Sequence, residues 1–222
     1  MSGIFSILFV IVAAYAVILC GLKLFDISSE LAEPIRRYGM FAGVFLAVIT
    51  ILGFLLSDIS DITDGGSTFL AIFLGTLTIS AIEIALEFLR ARILSRRKAK
   101  KLLAKVTFLD SIDEILVGLA VGISFIMSFG SGVMTLCAVI LFQICTKVES
   151  INLYQKHRFG RRDNLIALLI PLGLSLVTAI VTSLLSHGRY IKMGIFLSFA
   201  ISYLLYLCIR HLYIVVKKHQ KR

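Results

Sequence analysis

The chain has 222 residues, 59% hydrophobic and 16% charged, with a formal net charge of +10 and a mean hydropathy of +0.97. Soluble domains carry about 25% charged and 45–50% apolar residues, so the composition excludes an ordinary soluble domain and points to an integral membrane protein. The basic residues sit in connecting segments rather than along one face, which argues against nucleic acid as a partner.

About 20 apolar residues cross a bilayer core. Seven segments of that length can be drawn, at residues 4–25, 38–57, 67–89, 106–128, 132–153, 164–186 and 193–216. No soluble domain or long linker is left over, so residues 1–222 read as one all-α transmembrane domain. The first run is too long for the apolar region of a signal peptide and lacks a basic segment before it, so it is expected to span. Cys20, Cys137, Cys145 and Cys208 lie scattered in apolar runs without paired spacing and read as small packing residues.

Of the 23 lysines and arginines, 19 fall at the end of span 1, in the loops after spans 1, 3 and 5, or in the tail. Only Arg189 and Lys192 fall on the other side, and Lys147 and Arg210 lie inside spans. Basic residues mark the cytoplasmic side, so the N-terminus is expected outside and the C-terminus in the cytoplasm. Spans 1–3 then start outside and spans 4–6 inside. That is the layout of two inverted three-helix units, with one extra C-terminal helix.

In span 2, Gly39 and Gly43 form a small-xxx-small pair that permits close helix approach. The loop after it carries Asp58, Asp61 and Asp64, either a solvated turn or an acidic mouth that concentrates cations. Span 3 holds Glu83 and Glu87 at i and i+4. Glu87 is within reach of Arg90 and the interface, whereas Glu83 lies deeper.

Span 4, VTFLDSIDEILVGLAVGISFIMS, organises the chain. Its acids Asp110, Asp113 and Glu114 fall at i, i+3 and i+4 and share one helical face. A charged group at the centre of a span costs roughly 2.5–3.5 kcal/mol on insertion scales, so three need partners, water or a cation. Span 5 adds Gln143 and Lys147 at i and i+4, with Thr146 and Glu149 beside them. Lys147 is expected either to bridge to a carboxylate and hold two helices together, or to modulate the site by releasing that acid when substrate or a proton arrives. Glu83, Asp110, Asp113, Glu114 and Glu149 outnumber Lys147 at this depth. Such an oxygen-rich cluster suits hard divalent ions. Span 6 carries Pro171, which frees the carbonyl of Ala167, together with Ser175, Thr178, Thr182 and Ser183, read as a pathway lining or as interhelical glue. Span 7, aliphatic and aromatic with Arg210 and His211 near its inner end, is expected to face lipid. His157, His187 and His219 show no ligand spacing.

The stretch SIDEILVG, Ser111 to Gly118, resembles the fourth span of the MntP-type manganese efflux family within the LysE-like transporter group. Ser111, Ile112, Asp113, Val117 and Gly118 match that family's pattern. Softer similarity runs through spans 2 and 3. The resemblance implies an inverted pair of three-helix units, export of Mn(II) and a metal-site role for Asp113. The family's first span carries an aspartate, where this chain has AAYAVILCG at 13–21, and its fifth span is glycine-rich, where this chain has no glycine from Val133 to Phe159. A second similarity, to the ZIP-type metal transporters, lies in layout alone. Their ligand histidine four residues before the acid is Leu109 here.

The expected function is therefore transport of a divalent metal cation, manganese favoured and outward. Asp113, Asp110, Glu114, Glu83, Glu149 and Gln143 are the candidate ligands and Lys147 is the modulating charge. Transport of another small substrate on the same fold, or a non-transporting scaffold or regulator, are the alternatives. No nucleophile–base pair or histidine cluster is present, so no enzyme and no resident cofactor is expected. Membrane lipids and the metal ion are the expected partners, self-association stays open, and the short compact chain suggests a multi-pass protein of the cell (inner) membrane.

Overall fold

A computed structural model describes residues 2–27, 29–56, 65–94, 99–156, 161–185 and 193–219. Among the described residues the chain forms seven α-helices and no strand: α1 (Ser2–Ile27), α2 (Ser29–Thr50), α3 (Gly65–Leu94), α4 (Ala99–Met127), α5 (Phe129–Lys156), α6 (Arg161–Leu185) and α7 (Met193–His219). Each overlaps one of the seven apolar segments. A π-helical turn, Ile51–Leu55, continues α2. Within it Ile51 and Leu55 are buried while Leu52 and Gly53 are exposed.

On two of the helices polarity runs inside out. On α3, Phe69 is 72% and Phe88 67% exposed, whereas Glu83 is 2% exposed. On α6, Leu165, Ile170, Val177 and Leu184 face outward, while Ala167, Ser175, Ala179 and Ser183 face inward. Small and polar residues inside, with large apolar ones outside, reverse the pattern of a helix that packs in water. By length and composition, two described stretches suffice to cross a membrane, Phe129–Lys147 and Leu165–Leu184.

Small residues set the tightest helix pairs. A Cβ at Gly118 of α4 would run into the backbone carbonyl of Ser175 on α6, and one at Gly122 would lie 2.6 Å from the Thr182 Cβ. On α2, Gly39 and Gly43 let the helix approach Cys145 and Phe142 of α5, so the small-xxx-small pair works inside the fold. Gly75 of α3 faces Ser202 of α7, whose hydroxyl lies 3.0 Å from the Ile72 carbonyl oxygen and 2.6 Å from that of Ser198.

The α4–α5 connection is a single residue. Ser128 accepts a hydrogen bond from the Ser131 N–H at 3.0 Å, which caps α5 where its first amides lack helical partners. Gly132 leaves room for the Phe125 ring against that corner.

The sequence placed the last helix in lipid as an extra element, and here the structure differs. α7 packs against α3, α4 and α2, and Ile201, Ser202, Tyr203 and Leu204 are each 1% exposed or less. Apolar composition cannot separate a lipid-facing helix from a core helix, because both are apolar. The first three helices do not repeat the packing of α4–α6. α4 lies along α6, whereas α1 rests mainly on α5 and α6, and it is α7 that lies along α3. The final helix thus joins α2, α3 and α4.

Candidate functional site

α4 turns its acids toward α5 and α7. Glu114, 1% exposed, turns toward α5, where its Oε1 lies 2.6 Å from Lys147 Nζ and its Oε2 accepts a 2.7 Å hydrogen bond from Gln143 Nε2. Glu114 and Gln143 lie almost equally far from Ser128 in sequence, so the one-residue turn sets them opposite each other. Asp110, 6% exposed, and half-buried Asp113 also act electrostatically on Lys147, so a single ammonium serves three carboxylates. The nearby hydroxyls of Thr107 and Ser111 are spent on the carbonyls of Leu103 and Thr107, at 2.9 and 2.8 Å, within α4.

Asp113 faces α7. Its Oδ1 accepts a 3.3 Å hydrogen bond from the Tyr203 hydroxyl. Three residues further along α7, Tyr206 donates to Glu83 Oε2 at 3.4 Å, and Arg210 Nη1 lies 3.8 Å from the same oxygen. The two tyrosine rings are 6.4 Å apart and tilted by 47°. Tyr203 sits within electrostatic reach of Asp113, Glu83, Glu114 and Arg210. It therefore stands between two ion pairs, Glu114–Lys147 and Glu83–Arg210.

Of the residues singled out from the sequence, Asp110, Asp113, Glu114, Gln143 and Lys147 come together at the α4–α5 pair, and Glu83 joins them from α3 through Tyr203 and Tyr206. The side chains of Glu149, Glu87 and His211, the acidic loop Asp58, Asp61 and Asp64, and His157, His187 and His219 lie outside the described residues. Among the described residues, no three histidine, cysteine or carboxylate groups converge as a ready metal centre. Glu114 is taken up by Lys147 instead, and Glu83 by Arg210. Tyr203, Tyr206 and Arg210 are the site residues that sequence reasoning passed over. Their i, i+3, i+7 spacing puts them on one face of α7, and that was the available signal.

On α1, the hydroxyls of Tyr15 and of Ser175 on α6 meet at 2.5 Å, so Ser175 serves as interhelical glue at that contact. Thr178 donates to the Leu174 carbonyl at 2.8 Å, satisfying itself within α6.

No protein-family model matches the chain, and no curated protein or solved structure matches it.

Proposed function

We propose that this chain is a multi-pass membrane transporter of a small cation, with a divalent metal ion, Mn(II) first, as the leading substrate. The observation that carries the reading is the charge content of the interior. Glu83, Asp110, Asp113 and Glu114 stand against Lys147 and Arg210 among the described residues. Four carboxylates gathered between the helices, buried or half-buried, offer the oxygen ligands that a hard divalent cation takes. Charged side chains held inside a membrane are costly, and in membrane proteins such residues mark ion and substrate pathways.

The inside-out polarity and the two spanning stretches support a membrane location. The distribution of basic residues supports seven crossings of the cell membrane with the C-terminus in the cytoplasm, and the resemblance of Ser111–Gly118 supports manganese. Lys147 acts in this reading as a tethered counter-ion. It holds Glu114 neutralised while the site is empty, and it yields when a cation approaches the α4 carboxylates. Asp113, the most accessible of the three and held by one long hydrogen bond, is the first oxygen ligand offered. Carboxylate and amide oxygens suit hard ions such as Mn(II) and Mg(II).

The test is flux of Mn(II), Zn(II), Fe(II), Mg(II) and Cd(II) into proteoliposomes holding the purified chain, with Asp113→Asn in parallel. Flux of one ion, reduced at least tenfold by the substitution, is expected. Absence of flux for every ion, from protein that elutes as a folded species, would end the metal reading. A second reading rests on the 2.6 Å contact of Lys147 with Glu114. A primary ammonium already fits there, so an organic amine is the alternative substrate, and it is tested in the same vesicles with radiolabelled amines.

A further inference from the structure

One row of α5 is polar and wholly enclosed. Ser131, Thr135, Val139, Gln143 and Lys147 recur at i+4, which aligns them along one ridge of the helix. All are buried, Thr135 at 0% and Gln143 at 5% exposed. Two of their polar atoms, Thr135 Oγ1 and Gln143 Oε1, have no hydrogen-bond partner among the described residues. The Gln143 amide cannot be turned round to relieve this, because its nitrogen donates to the Glu114 carboxylate and reversal would set oxygen against oxygen. Nor does Thr135 use its helix carbonyl as Thr50, Thr76, Thr107 and Thr178 use theirs. Buried polar atoms without partners are uncommon in folded proteins, and two on one ridge ask for an occupant. Gln143 Oε1 can only accept and the Thr135 hydroxyl can do both. A cation bringing its hydration water satisfies the pair, whereas an anion would meet the amide oxygen.

We propose that this ridge of α5 lines the route by which the cation reaches the Glu114–Lys147 pair, with Thr135 and Gln143 as oxygen stations along it. Val139 forms an apolar step between them. The stations are roughly 12 Å apart at about 1.5 Å per residue. The inference rests on the transport reading above and extends it to the path.

Thr135→Val keeps the shape of the side chain and removes the stranded hydroxyl. The variant is expected to unfold at or above the wild-type midpoint while cation flux falls at least tenfold, and Thr135→Ser is expected to restore flux. A purely structural threonine would move stability and flux together. Thr135→Cys in the full chain is then treated with a water-soluble cationic methanethiosulfonate and labelled sites are assigned by mass spectrometry, with all native cysteines kept. Cys137, exposed on the outer face of the same helix, serves as the internal control. Labelling at position 135, slowed by the transported cation and without labelling of Cys137, is the expected result. Wild-type flux in Thr135→Val, or a Thr135→Cys thiol inert to the reagent, overturns the path. If the wild-type protein moves no cation the transport reading fails on its own, and labelling at 135 still decides whether the ridge is a water-reachable route.

Discussion

A lysine ammonium 2.6 Å from a carboxylate, with side chains 7% and 1% exposed, cannot be deleted without stranding the acid. Breaking such a buried pair costs about 3–5 kcal/mol, whereas replacing both partners by neutral groups can be nearly neutral. Lys147→Met is therefore expected to lower unfolding stability in detergent by roughly that amount, and Glu114→Gln added to it to restore most of the loss. Chemical denaturation of the single and double variants checks the cycle. Tyr203→Phe removes one long hydrogen bond to a carboxylate and is expected to cost only about 1 kcal/mol, so a larger loss of cation flux in that variant would reflect the Asp113 contact rather than a damaged fold. At this scale the sequence disclosed that Lys147 needs an acid, because a buried lysine has few other options. It did not disclose which acid. That choice belongs to the register of the α4–α5 turn, and a loop drawn from the end of one apolar run to the start of the next leaves the register open.

At the scale of elements, the residues without a side chain fix how closely two helices approach. At Gly118 the obstacle to a Cβ is the Ser175 backbone, which has no rotamer to change, while at Gly173 nothing lies within 4 Å. Gly118→Ala is expected to destabilise the chain, and Gly173→Ala to stabilise it by about 0.5–1 kcal/mol through its higher helix propensity. Melting curves of the two variants give opposite shifts if α4 and α6 pack as described. The existence and order of the seven helices could be read directly from apolar run length, which is the strongest signal such a chain carries. Their partners could not. The polar face of α7, with Ser198, Ser202, Tyr203 and Tyr206 all buried, was diluted by the apolar residues around it, and averaging over a span erases a one-sided pattern. The π turn at Ile51–Leu55 left no trace either, since one extra residue per turn changes no composition.

For the whole molecule, the last helix is the test of the architecture. An appended lipid-facing helix could be removed with little harm. α7 instead brings Ile201, Tyr203 and Leu204 to the core and two tyrosines and an arginine to the charged seam. A chain ending before Met193 is expected to give no monodisperse peak on size exclusion in detergent, whereas loss of the tail after His219 is expected to be tolerated. Charge asymmetry between loops gave an orientation from the sequence, because it is a one-dimensional count. The exchange of α1 for α7 beside α3 is a three-dimensional fact, and no count along the chain contains it.

The single-residue corner at Ser128 has a mechanical consequence. α4 and α5 are the two blades of a pair of tweezers joined at the tip, and the Glu114–Lys147 contact lies between the blades roughly 20 Å from the joint, at about 1.5 Å per residue. Over that length a spread of about 5° parts the blades by about 2 Å, enough to carry a 2.6 Å ion pair beyond contact. Any flexing at the corner would therefore be felt least at the joint and most at the Glu114–Lys147 contact. The length of the blades, rather than any softness in them, would set how small a bend suffices.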